Sequence, residues 1–212
     1  MPMLVNTTRD IRVRGLQLCG LTWSGEYLWY SEASSQRICA IDPVSGTAVR
    51  TVPCAGVRTD LTTLGGKLLQ VATAERVLRV VDPATGHLEY DIANPRPGRK
   101  LCGLEATGDG LWLGYEDLLQ VELRNREGAL LHTIPVSRPV AGLTVTDRFL
   151  LYADHAGATL TVVDIDSGRE LVTYSVVGNP AGLTWDGEWV WYCDHRDLRL
   201  CAVALPGLVQ GS

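Results

Sequence analysis

The sequence predicts an all-β chain folded as a five-bladed β-propeller, with four antiparallel strands in each blade. Three observations carry this expectation. A unit of about forty residues recurs from end to end, and a fixed period of that length marks a solenoid or a propeller. Each unit resolves into four short apolar runs separated by hairpin turn chemistry. No segment sustains the 3.6-residue periodicity of a helix.

The clearest copy is Ala181–Ala204, A-G-L-T-W-D-G-E-W-V-W-Y-C-D-H-R-D-L-R-L-C-A-V-A. Ala141–Asp164 and Cys19–Asp42 repeat it closely, and weaker copies begin at Thr59 and Cys102. The second residues of the copies are Gly20, Asp60, Gly103, Gly142 and Gly182, separated by 40, 43, 39 and 40 positions. In the first copy the runs are Gly20–Trp23, Tyr27–Ser31, Arg37–Ile41 and Thr47–Val52, rich in β-branched and aromatic residues.

The turns between runs follow from backbone chemistry. Ser24-Gly25, Gly65-Gly66 and Asp186-Gly187 supply the positive φ that tight hairpins need. Asp42-Pro43-Val44-Ser45-Gly46 is echoed at Asp82–Gly86 and Asp164–Gly168. Aspartate can accept from the backbone two residues on, proline presets φ, and glycine takes the left-handed exit.

The fifth copy stops after its third strand, Arg199–Ala204, and the tail Leu205–Ser212 reads as too short for a fourth. Asp10-Ile11-Arg12-Val13-Arg14 resembles the fourth-strand pattern Thr47–Thr51. The N-terminus is therefore expected to complete the last blade and cover its edge, making residues 1–212 one domain with blades starting near 19, 59, 102, 141 and 181.

Composition narrows the function classes. Of 212 residues, 46% are apolar, enough for a substantial core, and 19 basic against 24 acidic residues give a net charge of −5. No basic stripe points to nucleic acid, and no stretch is long enough to span a membrane as a helix. The first ten residues lack the apolar run of an export signal, and the six cysteines form no C-x-x-C pair. Free thiols, a cytoplasmic location and a monomer are expected.

The alternation of strands sorts residues by face. The loops joining strands one to two and three to four share one face, the bottom, and carry the repeated turns. Loops joining strands two to three, and one blade to the next, share the top. There the five copies read Ser31-Glu32-Ala33, Ala72-Thr73-Ala74, Gly114-Tyr115-Glu116, Ala153-Asp154-His155 and Cys193-Asp194-His195. A histidine beside a carboxylate can serve as a general base or a metal ligand. His195 and His155 are thus candidate bases, with Asp194, Asp154 and Glu32 expected to orient them or to hold a divalent ion. The bland alternative is that the aspartates cap loops and the histidines are packed or solvated.

Asp60 and Glu105 put carboxylates on the inner strands, Glu105 where other copies carry Thr22, Thr62, Thr144 and Thr184. Either could contact substrate, hold a metal ion or act as an acid or base beside a water-filled axis, or simply be solvated there. Arg58, Arg99, Lys100 and Arg138 sit in top loops between blades, where they could hold an anionic group. With Tyr115, Arg58 and Arg138 complete the expected substrate contacts. The shared positions of Trp29, Trp112 and Trp191, and of Trp23 and Trp185, point to packing between blades, and the cysteines read as small buried residues.

The units G-L-T-W-D-G-E-W-V-W-Y-C-D and L-W-Y-S-E-A-S-S-Q-R-I-C-A-I-D-P-V-S-G resemble the propeller repeats of the streptogramin (virginiamycin B) lyase-like, YncE-like and glutamine-cyclotransferase-like group, over nearly the whole chain. The resemblance implies a propeller with its working site on the central top face. In the seven-bladed lyases that site combines a metal ion with histidine and glutamate, and it opens a cyclic depsipeptide by elimination. The cyclotransferase relatives are five-bladed and longer, with an acidic catalytic motif that has no copy here. The expected function is a small-molecule lyase, hydrolase or cyclase using His/carboxylate acid–base chemistry. The alternatives are a non-catalytic small-molecule or sugar-binding propeller and a protein-interaction scaffold. Repeated binding sites would need alike top loops, and these loops differ, which favours one site.

Overall fold

The computed structural model describes residues 2–206 and 208; Met1, Gly207 and residues 209–212 lie outside the described residues. Its regular structure is entirely strand. Blade 1 comprises Leu18–Trp23, Leu28–Glu32, Arg37–Ile41 and Ala48–Pro53, from the axis outward. Blades 2 and 3 repeat the order with Val57–Leu64, Lys67–Ala72, Val77–Val81 and Leu88–Ile92, then Leu101–Thr107, Gly110–Tyr115, Gln120–Arg124 and Leu130–Pro135. Blade 4 contains Gly142–Val145, Phe149–Asp154, Thr159–Asp164 and Glu170–Ser175. Blade 5 contains Pro180–Trp185, Val190–Asp194 and Arg199–Val203, and its outer strand is Arg9–Arg12.

The expected closure therefore occurs, with Asp10 opposite Cys201 and Ile11 opposite Leu200. The N-terminus also does something its sequence does not announce. Met3–Leu4 adds a fifth, parallel strand to blade 4, Met3 opposite Tyr174 and Leu4 opposite Ser175. Val5 continues this with an N–H to the Ser175 carbonyl at 3.0 Å and packs beside Tyr174, Val176 and Leu205. One short segment thus clasps the outer edges of two successive blades.

Among the described residues no strand ladder joins one blade to the next. Five apolar clusters, one at each junction, hold the ring instead. Leu18, Leu21, Tyr30 and Cys39 of blade 1 meet Trp191, Leu200 and Ala202 of blade 5. Leu69, Val71 and Leu78 of blade 2 meet Leu101, Leu113 and Tyr115 of blade 3. Trp29 and Trp112 occupy the matching places at their own junctions, so the aromatic pattern is interblade packing. Each such side chain contributes about 1.5–3 kcal/mol on burial, which makes these seams the main source of cohesion between blades.

The innermost strands have one edge facing the axis, with N–H groups that no neighbouring strand accepts. The repeated threonines meet this need across the seams. Thr184 accepts from Trp23 N at 2.9 Å, Thr144 from Trp185 N at 3.1 Å, and Thr62 from Ala106 N at 3.1 Å. Each hydroxyl caps the next blade around the ring. The bottom turns work as their chemistry demands: Asp42 accepts from Val44 and Ser45, Asp82 from Ala84 and Thr85, and Asp164 from Ser167.

Candidate active site

The residue just past each second strand lies on the top face beside the axis. In blades 1 to 5 these are Ala33, Thr73, Glu116, His155 and His195. Three successive blades thus present an acid or an imidazole at one structural level. They surround an axial cavity of about 330 Å³ to which all five blades contribute. Glu116 is the residue that the sequence reading missed. Its signal was available, because it occupies the same place in the third copy as the histidines do in the fourth and fifth. In blade 2 the strand ends at Ala72, so Thr73, not Ala74, is the matching residue.

The two imidazoles meet edge to face, with ring centroids 5.4 Å apart and planes at 77°. Neither ring is oriented by its neighbouring aspartate. His155 Nδ1 lies 3.3 Å from the Pro180 carbonyl oxygen of blade 5, and His195 Nδ1 lies 3.0 Å from that of Leu18 in blade 1. A carbonyl oxygen only accepts, so both Nδ1 atoms carry the proton. In the neutral ring Nε2 is then the basic nitrogen. Asn179 ties the two loops together, donating from Nδ2 to the His155 carbonyl at 3.1 Å and accepting from His195 N at 3.0 Å.

The flanking carboxylates serve as loop anchors. Asp194 is fully buried and accepts from the backbone of Asn179 at 3.0 Å and of Arg196 at 3.1 Å, and from Arg199 at 3.1 Å. Gly178, at φ +79°, makes room for it: a Cβ there would stand 2.2 Å from the carboxylate. Asp154 accepts from Gly157 N at 3.0 Å and lies 3.6 Å from Arg138. Glu32 accepts from Leu16 N at 2.9 Å, Ser35 at 2.7 Å and Arg37 at 2.8 Å. Burial alone would raise its pKa, but these hydrogen bonds outweigh burial and hold it below the usual range. Neither Glu32 nor Asp194 lines the cavity, and Asp154 reaches its wall only while engaged with Gly157 and Arg138. The expected role of these three as histidine partners is corrected to loop capping, because their oxygens are committed to backbone N–H groups and arginines.

Tyr115 is likewise displaced from the expected site. It is buried in the seam between blades 2 and 3, and its hydroxyl donates to Asn94 Oδ1 at 3.0 Å. Arg138 stands beside the cavity on Asp154, while Arg58 lines the wall with an exposed side chain. Cys19 and Cys102 also line the wall, and burial pushes both thiols up to about 11. They are neutral thiols near pH 7, hence weak nucleophiles. All six cysteines are free.

Beneath the cavity the axis is closed, and this corrects the expectation of a water-filled channel at Asp60. Four of the five inner strands carry glycine at this level, and they approach closely: a Cβ on Gly182 would lie 2.4 Å from Leu21 N. The one side chain present is Asp60, fully buried, accepting from Leu61 N at 2.9 Å, Leu104 N at 3.0 Å and Leu143 N at 3.1 Å. Burial raises its pKa well above the usual range, against the pull of those three donors. Asp60 is thus the plug of the axis, outside the ligand cavity.

Glu105 lies one layer lower, accepting from Thr62 Oγ1 at 2.6 Å, Thr144 Oγ1 at 2.9 Å and Ala106 N at 3.2 Å. It cannot reach the top cavity past the Asp60 layer. Burial raises its pKa from an ordinary 4.5 to about 7. The folded state therefore holds this proton to higher pH than the unfolded chain does. Its stabilising effect is complete below about pH 4.5 and is lost as pH rises towards 7. The full shift corresponds to about 3 kcal/mol, less for a side chain that solvent partly reaches. Glu105→Gln should flatten the stability–pH curve between pH 5 and 8, which denaturant melts can follow. An unchanged slope would contradict this.

A larger hollow of about 1160 Å³ opens on the bottom face and includes Asp109, His132, Asp147 and Trp185, but only blades 3 to 5 and the tail residue Leu208 line it. Among the described residues no group of three or more His, Cys, Asp and Glu side chains is arranged to hold a metal ion. The chemistry on offer is therefore concentrated in the top cavity: two Nε2 bases, two carboxylates and one guanidinium around a small space. No protein-family model matches the chain, and no curated protein matches it. Among solved structures, the glutaminyl cyclase of Myxococcus xanthus matches with a TM-score of 0.77, covering 96% of this chain and 97% of that one, at 14% identity. The chain is thus similar to that cyclase in its five-bladed propeller fold.

Proposed function

We propose that this protein is a small-molecule enzyme of the cyclase type, working by proton transfer in the top-face cavity. The carrying observation is the pair of imidazoles, 5.4 Å apart, both held by backbone carbonyls in the tautomer that leaves Nε2 as the base. A fixed pair of this kind suits a reaction that takes a proton from a nucleophile and returns one to a leaving group. For an amine closing on a carboxamide within one molecule, nitrogen attacks the carbonyl carbon and the carbon–nitrogen bond of the amide breaks. One imidazole takes the proton of the attacking amine, and the other, entering as imidazolium, protonates the amide nitrogen, which departs as ammonia. Glu116 would hold the amine before attack, and the closed Asp60 layer would keep water from entering below. The fold shared with a glutaminyl cyclase supports cyclisation over elimination or hydrolysis.

The test is ammonia release from glutamine and from short glutaminyl peptides. The full-length protein should release ammonia from at least one of them, with the ring product appearing in equal amount. Absence of release from every one would contradict the cyclase reading.

A further inference from the structure

We propose that the top cavity takes a small organic monocarboxylate, its carboxylate on Arg58 and its reacting end across the axis at His155 and His195. This rests on the reading of the cavity as the enzyme's site and adds the class of molecule bound. Of the four candidate anchoring cations Arg58, Arg99, Lys100 and Arg138, three are engaged. Arg99 lies 3.7 Å from Asp117, Lys100 3.8 Å from Glu116, and Arg138 3.6 Å from Asp154. Arg58 makes no ion pair or side-chain hydrogen bond among the described residues, yet it forms part of the cavity wall. A solitary surface arginine is normally just solvated. This one is set in a concave wall whose other polar groups are two imidazoles, a threonine, two neutral thiols and engaged carboxylates.

The ring fixes the geometry. In a circle of five blades, blade 2 lies opposite the junction of blades 4 and 5. Arg58 therefore stands across the axis from His155, which contacts Pro180 of blade 5, while His195 reaches towards Leu18 of blade 1, and a ligand anchored on Arg58 extends across the cavity towards the imidazole pair. The anchor is a single uncompensated guanidinium, and Glu116 on the adjoining blade disfavours a second negative charge. A planar fork of donors matches a carboxylate in bidentate fashion. The cavity of about 330 Å³ lies at the small end of the range of ligand pockets, which suits a small organic molecule. Leu18, Val140 and Ala181 in the wall suit a hydrocarbon body.

Calorimetric titration of the full-length protein with benzoate, hexanoate, benzamide, hexanamide and phenyl phosphate at pH 7.5 tests this. At least one of the two acids should bind, and its amide should bind about tenfold more weakly or worse, since the amide loses the charged pairing. Arg58→Gln should weaken the acid about tenfold or more and leave the amide unchanged. The variant carrying both His155→Ala and His195→Ala should still bind the acid, so a failed catalytic reading is distinguishable from a failed substrate class. The proposal is overturned if neither acid binds, if amides bind equally well, if Arg58→Gln binds as wild type does, or if phenyl phosphate binds more tightly than benzoate.

Discussion

Removing residues 1–15 is expected to lower the melting temperature by about 10–20 °C or to send the protein into aggregates. The segment supplies the outer strand of blade 5 and the added parallel strand of blade 4. Its loss strips Ile11 from the seam between blades 5 and 1, and Val5 from the seam between blades 4 and 5. Each of those side chains contributes about 1.5–3 kcal/mol, and the ladder along Arg199–Val203 loses its partner as well. A loss of about 5 kcal/mol is a large part of the 5–15 kcal/mol that holds a typical domain, and at this chain length each kcal/mol moves the midpoint by about 2–4 °C. The bared strand also becomes a template for pairing between molecules. Calorimetry and size-exclusion chromatography read both effects. A truncated protein that melts with the full chain and stays monodisperse would contradict the closure.

Replacing Asp60 with alanine should cost several kcal/mol although the residue touches no ligand. The N–H groups of Leu61, Leu104 and Leu143 converge on its two oxygens from three blades. An orphaned buried donor costs about 1–3 kcal/mol, and alanine would remove the acceptor of three. Asp60→Asn should recover only part of the loss, because its amide nitrogen would meet N–H groups that want an acceptor. The denaturation midpoint should fall for both variants, further for alanine, with little change in slope. An Asp60→Ala protein as stable as wild type would refute the plug.

The fold was legible because its instructions repeat. The forty-residue period, the Asp-Pro and Asp-Gly turns and the strand-like runs all agree, and the observed strands of the first copy begin and end within about two residues of the sequence reading. The site was legible only in part. That His155 and His195 share one level of the top face followed from their matching positions in adjacent copies, but their edge-to-face contact did not. The carboxylates were misplaced because sequence adjacency does not say which way a side chain turns. Along a strand neighbours alternate faces, so Asp154 and Asp194 turn back to their own loops while the residues after them face the axis. Asp60 was misread because its partners are main-chain N–H groups of other blades, which leave no trace in composition. Glu116 escaped notice because an acid in a column of histidines does not look like a repeat.

The central claim is that His155 and His195 do chemistry in the cavity and little for the fold. It is tested most directly by turnover and melting temperature measured together on His155→Ala and His195→Ala, using the substrate that wild type cyclises. Each substitution should lower kcat about a hundredfold or more, the usual scale for a general acid or base. Melting should shift by no more than about 2 °C, because substitutions at partly exposed loop positions cost about 0.5 kcal/mol or less. Turnover that persists in both variants, or that falls only in step with the folded fraction, would contradict the claim.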